Sequence, residues 1–300
     1  MSNVWALLAI LAASFEPLVA KLGYSHGVPL ESLFVGRCIV AALAVWPLTR
    51  FRQKVDTKLP PAGPERRGVF LGGLLLATTS GLTLFALTRI PTAIVVVAVT
   101  TTPALVAAVN HIRGTEKTGL VFWLGVAAAI TGVIMTLQMP GDAEIDAIGV
   151  TAIVSAVVSS CIYRVHLDAL MKRVAPAVVS AWVVTVQGIC AVVVFGPLLR
   201  SFPPAAVAAS LWTGLFAALA NVAFLKALQA LGSTKVSVFT LAQRPFIIGV
   251  AALLLDEPLG WMQWGGTALV ILGILATRGL FSRPWQRAKP VQPCAISYSR

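Results

Sequence analysis

Five ionisable residues stand inside long apolar stretches of this 300-residue chain: Glu16, Arg37, Arg164, Lys226 and Arg244. Their chemistry suits recognition better than bond-making. A guanidinium clasps a carboxylate or phosphate with two parallel hydrogen bonds. A charge held at the centre of a bilayer costs about 2.5–3.5 kcal/mol, so it marks a functional candidate by default. Arg244 sits at the middle of its stretch beside Pro245, whose ring nitrogen frees a backbone carbonyl. Arg37 and Glu16 lie within roughly 5 Å of midplane at ~1.5 Å per residue, displaced to the same side, so they can pair. Arg164 and Lys226 stand further from the centre, where long side chains snorkel to the headgroups.

Neutral polar groups extend the list. Thr101 and Thr102 precede Pro103 just as Gln243 and Arg244 precede Pro245, and Asn221 interrupts another apolar run. The expected substrate-binding set is Glu16, Arg37, Thr101, Thr102, Asn221, Gln243 and Arg244. Pro17, Pro103 and Pro245 are the expected helix breaks. No histidine reaches the centre of a stretch, which argues against a histidine proton relay; Glu16 as a proton carrier is left open. No cofactor or metal site is expected: the four cysteines have no CxxC spacing and read as small packing residues.

The elements that must position these groups are membrane helices. Hydrophobic residues make up 58% of the chain and charged residues 11%, far below the roughly 25% charged of soluble domains. Ten stretches are long enough for a hydrocarbon core of about 30 Å: 4–22, 30–49, 69–88, 91–110, 119–138, 147–169, 177–198, 207–229, 236–255 and 260–279. The expected fold is therefore an all-α integral membrane protein of ten transmembrane helices. Glycine pairs such as Gly68/Gly72 and Gly23/Gly27 offer close-packing faces.

The ten stretches divide into two copies. From Pro103 the intervals to Glu116, Gly125 and Gly132 are 13, 9 and 7 residues; from Pro245 to Glu257, Gly266 and Gly273 they are 12, 9 and 7. Five spans per copy is an odd number, so the copies must insert with opposite orientation. Inverted repeats with matched helix breaks are a mark of secondary transporters. The boundaries are 1–139 for the first repeat, 140–146 for an acidic linker, 147–280 for the second repeat and 281–300 for a basic tail.

The net charge of +12 would suggest a nucleic-acid partner in a soluble protein, but its distribution argues otherwise. With the N-terminus cytoplasmic, sixteen Lys and Arg fall on the inside and three on the outside, among them six in the segment 50–67. That bias places both termini in the cytoplasm. Nucleic acid is not an expected partner; the bilayer and a small-molecule substrate are, and a homodimer is left open.

Together these features resemble the drug/metabolite transporter superfamily, EamA type. The resemblance rests on Arg37 in the second span, Pro103 and Pro245 in the fourth and ninth, and Glu116 and Glu257 before the last span of each half. It implies a secondary carrier that moves small metabolites by alternating access, in a bacterial cytoplasmic membrane. The departures from the pattern are Arg244 before Pro245 and Glu16-Pro17 within the first span. Two arginines against one glutamate at midplane favour a carboxylate-bearing, amino-acid-like cargo, with export the expected direction. A flippase for a lipid or lipid-linked sugar is the alternative. A membrane-embedded enzyme is remote, because HExxH, serine-elbow and phosphate-loop motifs are lacking.

Overall fold

The computed structural model describes residues 2–50, 63–90, 92–115, 118–136, 146–199, 201–243 and 260–277, which are helical apart from short turns. The first half comprises α1 (Ser2–Ser25), α2 (Leu30–Arg50), α3 (Pro64–Leu87), α4 (Thr92–Thr100), α5 (Thr102–Ile112) and α6 (Leu120–Thr136). The second comprises α7 (Ala147–Leu170), α8 (Pro176–Phe195), α9 (Pro204–Leu231), α10 (Ser233–Phe239) and α11 (Trp261–Thr277). Among the described residues six stretches are long and apolar enough to cross a membrane: Leu30–Thr49, Pro64–Leu87, Ile94–Ile112, Ala147–Leu170, Pro176–Leu198 and Pro204–Leu231. Val4–Glu16, Leu120–Met135 and Trp264–Thr277 are shorter apolar helices. The ninth expected span is described only as far as Gln243. Arg244, Pro245, Glu116, Glu257, the linker before Asp146 and the tail lie outside the described residues.

Local chemistry sets the helix ends. Pro64, Pro176 and Pro204 open α3, α8 and α9, where a missing N–H costs nothing. Asp146 caps α7 by accepting from the Ile148 N–H at 2.9 Å. Gly232 takes φ 84° between α9 and α10, a conformation that favours glycine. Gly27 also has positive φ and meets nothing within 4 Å, so it serves the turn after α1 rather than the packing face expected with Gly23.

The expected break in the fourth span lies at Thr101, between α4 and α5. Pro103 cannot donate to the Val99 carbonyl. Thr102 Oγ1 donates to it instead, at 2.7 Å, while Thr101 bonds to the Ala98 carbonyl and Thr100 to that of Val97. Three hydroxyls thus satisfy the carbonyls around the break, as lipid requires. In the second half α10 tightens into a 3-10 turn, Thr240–Ala242, at the corresponding place.

Helix packing repeats between the halves. α9 lies against both α1 and α2, and its counterpart α3 lies against both α7 and α8. Gly214 of α9 presses its backbone on Val40 and the Arg37 carbonyl of α2; Gly73 of α3 does the same on Val186 and the Val183 carbonyl of α8. Gly73 and Gly214 are 141 residues apart, as are Gly125 and Gly266, and Gly132 and Gly273. Where α6 meets α11, a Cβ on Gly125 would lie 2.7 Å from the Gly273 carbonyl and one on Gly132 would lie 2.6 Å from that of Gly266. These crossed pairs mean that α6 and α11 run antiparallel and are exchanged by a two-fold axis across them.

Direction follows from contacts at the helix ends. Lys226, near the end of α9, stands over the ring of Trp5 at the start of α1. Gln229 donates to the Met171 carbonyl just past α7, and His166 near the end of α7 bonds to the Gly68 carbonyl at the start of α3. So α3 starts at the end of the bundle where α9 finishes. The two equivalent helices point in opposite directions.

Candidate functional site

Both halves surround a central cavity of about 330 Å³. The first half contributes Glu16 from α1, Arg37 from α2, Ser80 from α3 and Thr102 and Pro103 from α5. The second contributes Arg164 from α7, Gln187 from α8, Asn221 from α9 and, beyond α10, Thr240 and Gln243. The break between α4 and α5 and the 3-10 turn after α10 matter because they bring polar residues to this space.

Glu16 and Arg37 meet as an ion pair, Arg37 Nη1 donating to Glu16 Oε1. Both side chains line the cavity and are only 20% and 26% exposed. The Arg37 guanidinium also lies 5.6 Å from the centre of the Phe34 ring. The common depth expected from sequence is what allows this pairing. With its charge matched by Glu16, Arg37 is already neutralised.

Arg164 is held differently. Its Nη1 donates to Ser237 Oγ at 3.2 Å and its guanidinium stands 5.2 Å over the ring of Phe224. Its Nε is buried without a hydrogen-bond partner. Among the described residues no carboxylate pairs with it. A hydroxyl and an aromatic face together stabilise a cation by roughly 1–2 kcal/mol, less than a carboxylate supplies in low dielectric. The sequence expectation of an interfacial, snorkelling Arg164 is therefore corrected: it lines the cavity, because α7 turns Ser160, Tyr163 and Arg164 inward on one face. Lys226 instead covers Trp5.

The neutral groups are partly committed to the scaffold. Asn221 Oδ1 accepts from Ser180 Oγ at 2.9 Å, and Gln243 Nε2 donates to the Ala13 carbonyl at 2.6 Å. Thr102 lines the cavity, but its proton is given to the Val99 carbonyl; Thr101 is turned away from the lining, its proton given to Ala98. Arg244 and Pro245 lie outside the described residues, as does the Pro17 side chain; the helix break expected at Pro17 is not formed, since α1 runs continuously from Ser2 to Ser25. The sequence reading passed over Gln187, whose amide donates to Ser80 Oγ at 2.9 Å across α8 and α3. A Gln at the middle of an apolar stretch was the available signal.

Glu16, Arg37 and Arg164 leave the described lining with one cation in excess. The cavity is small, walled by both halves, and bordered by the break between α4 and α5 and the 3-10 turn after α10. Such a space suits a small anionic or zwitterionic molecule.

The fold is shared with a protein of known crystal structure over 93% of this chain and 98% of that one, with a TM-score of 0.78 at 16% identity. A search of curated proteins gives no significant match. The sequence profile of the EamA-like transporter family matches residues 1–138 and again 147–279, the same two halves that pack about one axis. The chain belongs to the EamA-like transporter family, and is an integral membrane protein built from two copies of one unit.

Proposed function

We propose that this protein is a secondary carrier for a small carboxylate-bearing, amino-acid-like metabolite, passed through the central cavity by alternating access. The observation that carries the reading is Arg164, a cavity cation without a carboxylate among the described residues, next to an Arg37 already matched by Glu16. A cargo carboxylate supplies the counter-charge that Ser237 and Phe224 do not. When cargo leaves, those two groups hold the guanidinium in place for the next molecule. Ten spans in two inverted five-helix repeats, with both termini in the cytoplasm of a bacterium, complete the arrangement. Export is the direction we favour, and Glu16 is the group available for proton coupling.

The test is counterflow in proteoliposomes with compounds matched in size: amino acids, their carboxamides and neutral sugars. The acids should be carried and the carboxamides should not. Arg164→Gln should insert normally and lose at least ten-fold in transport, while Arg164→Lys should recover part, since a point charge lacks the planar fork. Equal transport of an amino acid and its carboxamide by the unaltered protein would refute the carboxylate reading.

A further inference from the structure

A second concavity, of about 950 Å³, opens between α3 and α8 on the outer face of the bundle. Its lining changes character along its length. At one end stand Arg66 and Arg67, in the first turns of α3; further on lie Phe70 and Leu74 of α3 and Ile189 of α8. Phe70 is 60% and Ile189 58% exposed, so the groove faces acyl chains. Leu74 is two turns beyond Arg66, about 12 Å deeper along the helix. Gly63 gives α3 no side-chain cap, so the first-turn N–H groups add positive character at the same end.

The repeat supplies an internal control. The groove's counterpart on the two-fold lies between α9 and α2, at the opposite end of the bundle. There Leu211 and Leu215 stand where Phe70 and Leu74 stand, but Val207 and Ala208 replace Arg66 and Arg67. The same glycine crossing forms without the two cations. Helix packing thus does not require them.

We propose that this groove is a binding site for one anionic phospholipid, its phosphate on Arg66 and Arg67 and an acyl chain along Phe70, Leu74 and Ile189. The apolar floor selects a lipid over a free phosphate ester, and the paired cations select an anionic headgroup over a zwitterionic one. Glu65, on the same turn as the two arginines, is not part of the lining. The site is separate from the central cavity and independent of the cargo.

Native mass spectrometry of the protein from nanodiscs of equal phosphatidylglycerol and phosphatidylcholine tests this. Each cation near a membrane surface contributes roughly five-fold, so one bound phosphatidylglycerol should be preferred by about 25-fold. Arg66→Gln/Arg67→Gln should abolish that preference. Because those arginines also lie among the cations that orient the chain, Ile189→Trp provides a second arm. It fills the exposed apolar floor with both cations intact and should lower lipid retention at least five-fold. Water-soluble glycerol 3-phosphate should fail to displace the lipid. Equal retention of the two lipids, retention unchanged by Ile189→Trp, a preference that survives the double variant, or displacement by glycerol 3-phosphate would each overturn the proposal.

Discussion

Replacing Arg164 and replacing Arg37 should shift the stability of the cargo-free protein in opposite directions. Both are cavity arginines, but Arg37 is paired with Glu16 and Arg164 has Ser237 and Phe224. Arg164→Gln removes a charge whose Nε is buried without a partner, a burial that costs roughly 3 kcal/mol. It forfeits roughly 1 kcal/mol of cation–π attraction and about 1 kcal/mol of a long hydrogen bond, part of which the glutamine amide regains. The balance is a gain of roughly 1 kcal/mol. Arg37→Gln instead leaves the Glu16 carboxylate unmatched. Breaking a buried pair costs about 3–5 kcal/mol, and the residual exposure of both side chains puts this one near 3 kcal/mol. Thermal unfolding of the purified variants in nanodiscs, followed by tryptophan fluorescence without substrate, reads both. Arg164→Gln should unfold higher than the unaltered protein and Arg37→Gln lower. Comparable destabilisation by the two would mean that Arg164 has a structural counter-charge, and the carboxylate reading of the cavity would fall with it.

Gly265→Ala should stabilise by up to about 1 kcal/mol, because its new methyl meets only the end of Met135 at 3.7 Å. Gly125→Ala should differ by about 1–3 kcal/mol in the unfavourable sense, since its methyl meets the Gly273 carbonyl at 2.7 Å; indistinguishable unfolding curves would disprove the close crossing. Replacing Thr100, Thr101 and Thr102 together by valine strips the carbonyls of Val97, Ala98 and Val99 of their hydroxyl donors. The loss should be about 1–3 kcal/mol in unfolding assays, and a neutral result would mean that water serves those carbonyls. A cysteine placed at Ala143 should react with impermeant thiol reagent on intact cells, and one in the segment 50–67 should not; the reverse pattern would invert the proposed topology.

The helices were legible because lipid imposes one rule over a long window, so hydropathy alone marks where α2, α3, α7, α8 and α9 run. The break at Thr101 was legible because proline removes a donor whatever the surroundings. The Glu16–Arg37 pair needed only a common depth, which residue counting supplies. Arg164 was misread because counting gives depth along the membrane normal but not azimuth around the helix. Its azimuth was encoded nearby: Ser160 lies one turn before it on the same face, and both turn to the cavity. Gly27 was misread for the reverse reason, since spacing to Gly23 implied a shared helix face whereas the helix ends before it. Commitment of the Thr101, Thr102 and Gln243 donors to backbone carbonyls depends on rotamers and neighbours, which spacing does not carry.

The glycine crossings are duplicated, but the charges are not. Arg37 and Val40 on one side correspond to Val183 and Val186 on the other, and Ser80 corresponds to Asn221. If the halves trade conformations in the alternating access we propose, the inward- and outward-facing states draw on the same backbone crossings with the roles of the halves exchanged. The same change made at both copies of a duplicated position weakens both states alike and leaves their ratio near its starting value. A change at an unduplicated one, such as Arg37 opposite Val183, acts on a single member of the exchange and tips the resting population. The asymmetric residues are then the ballast of the cycle, and drift in them alone can reset which side the empty carrier faces.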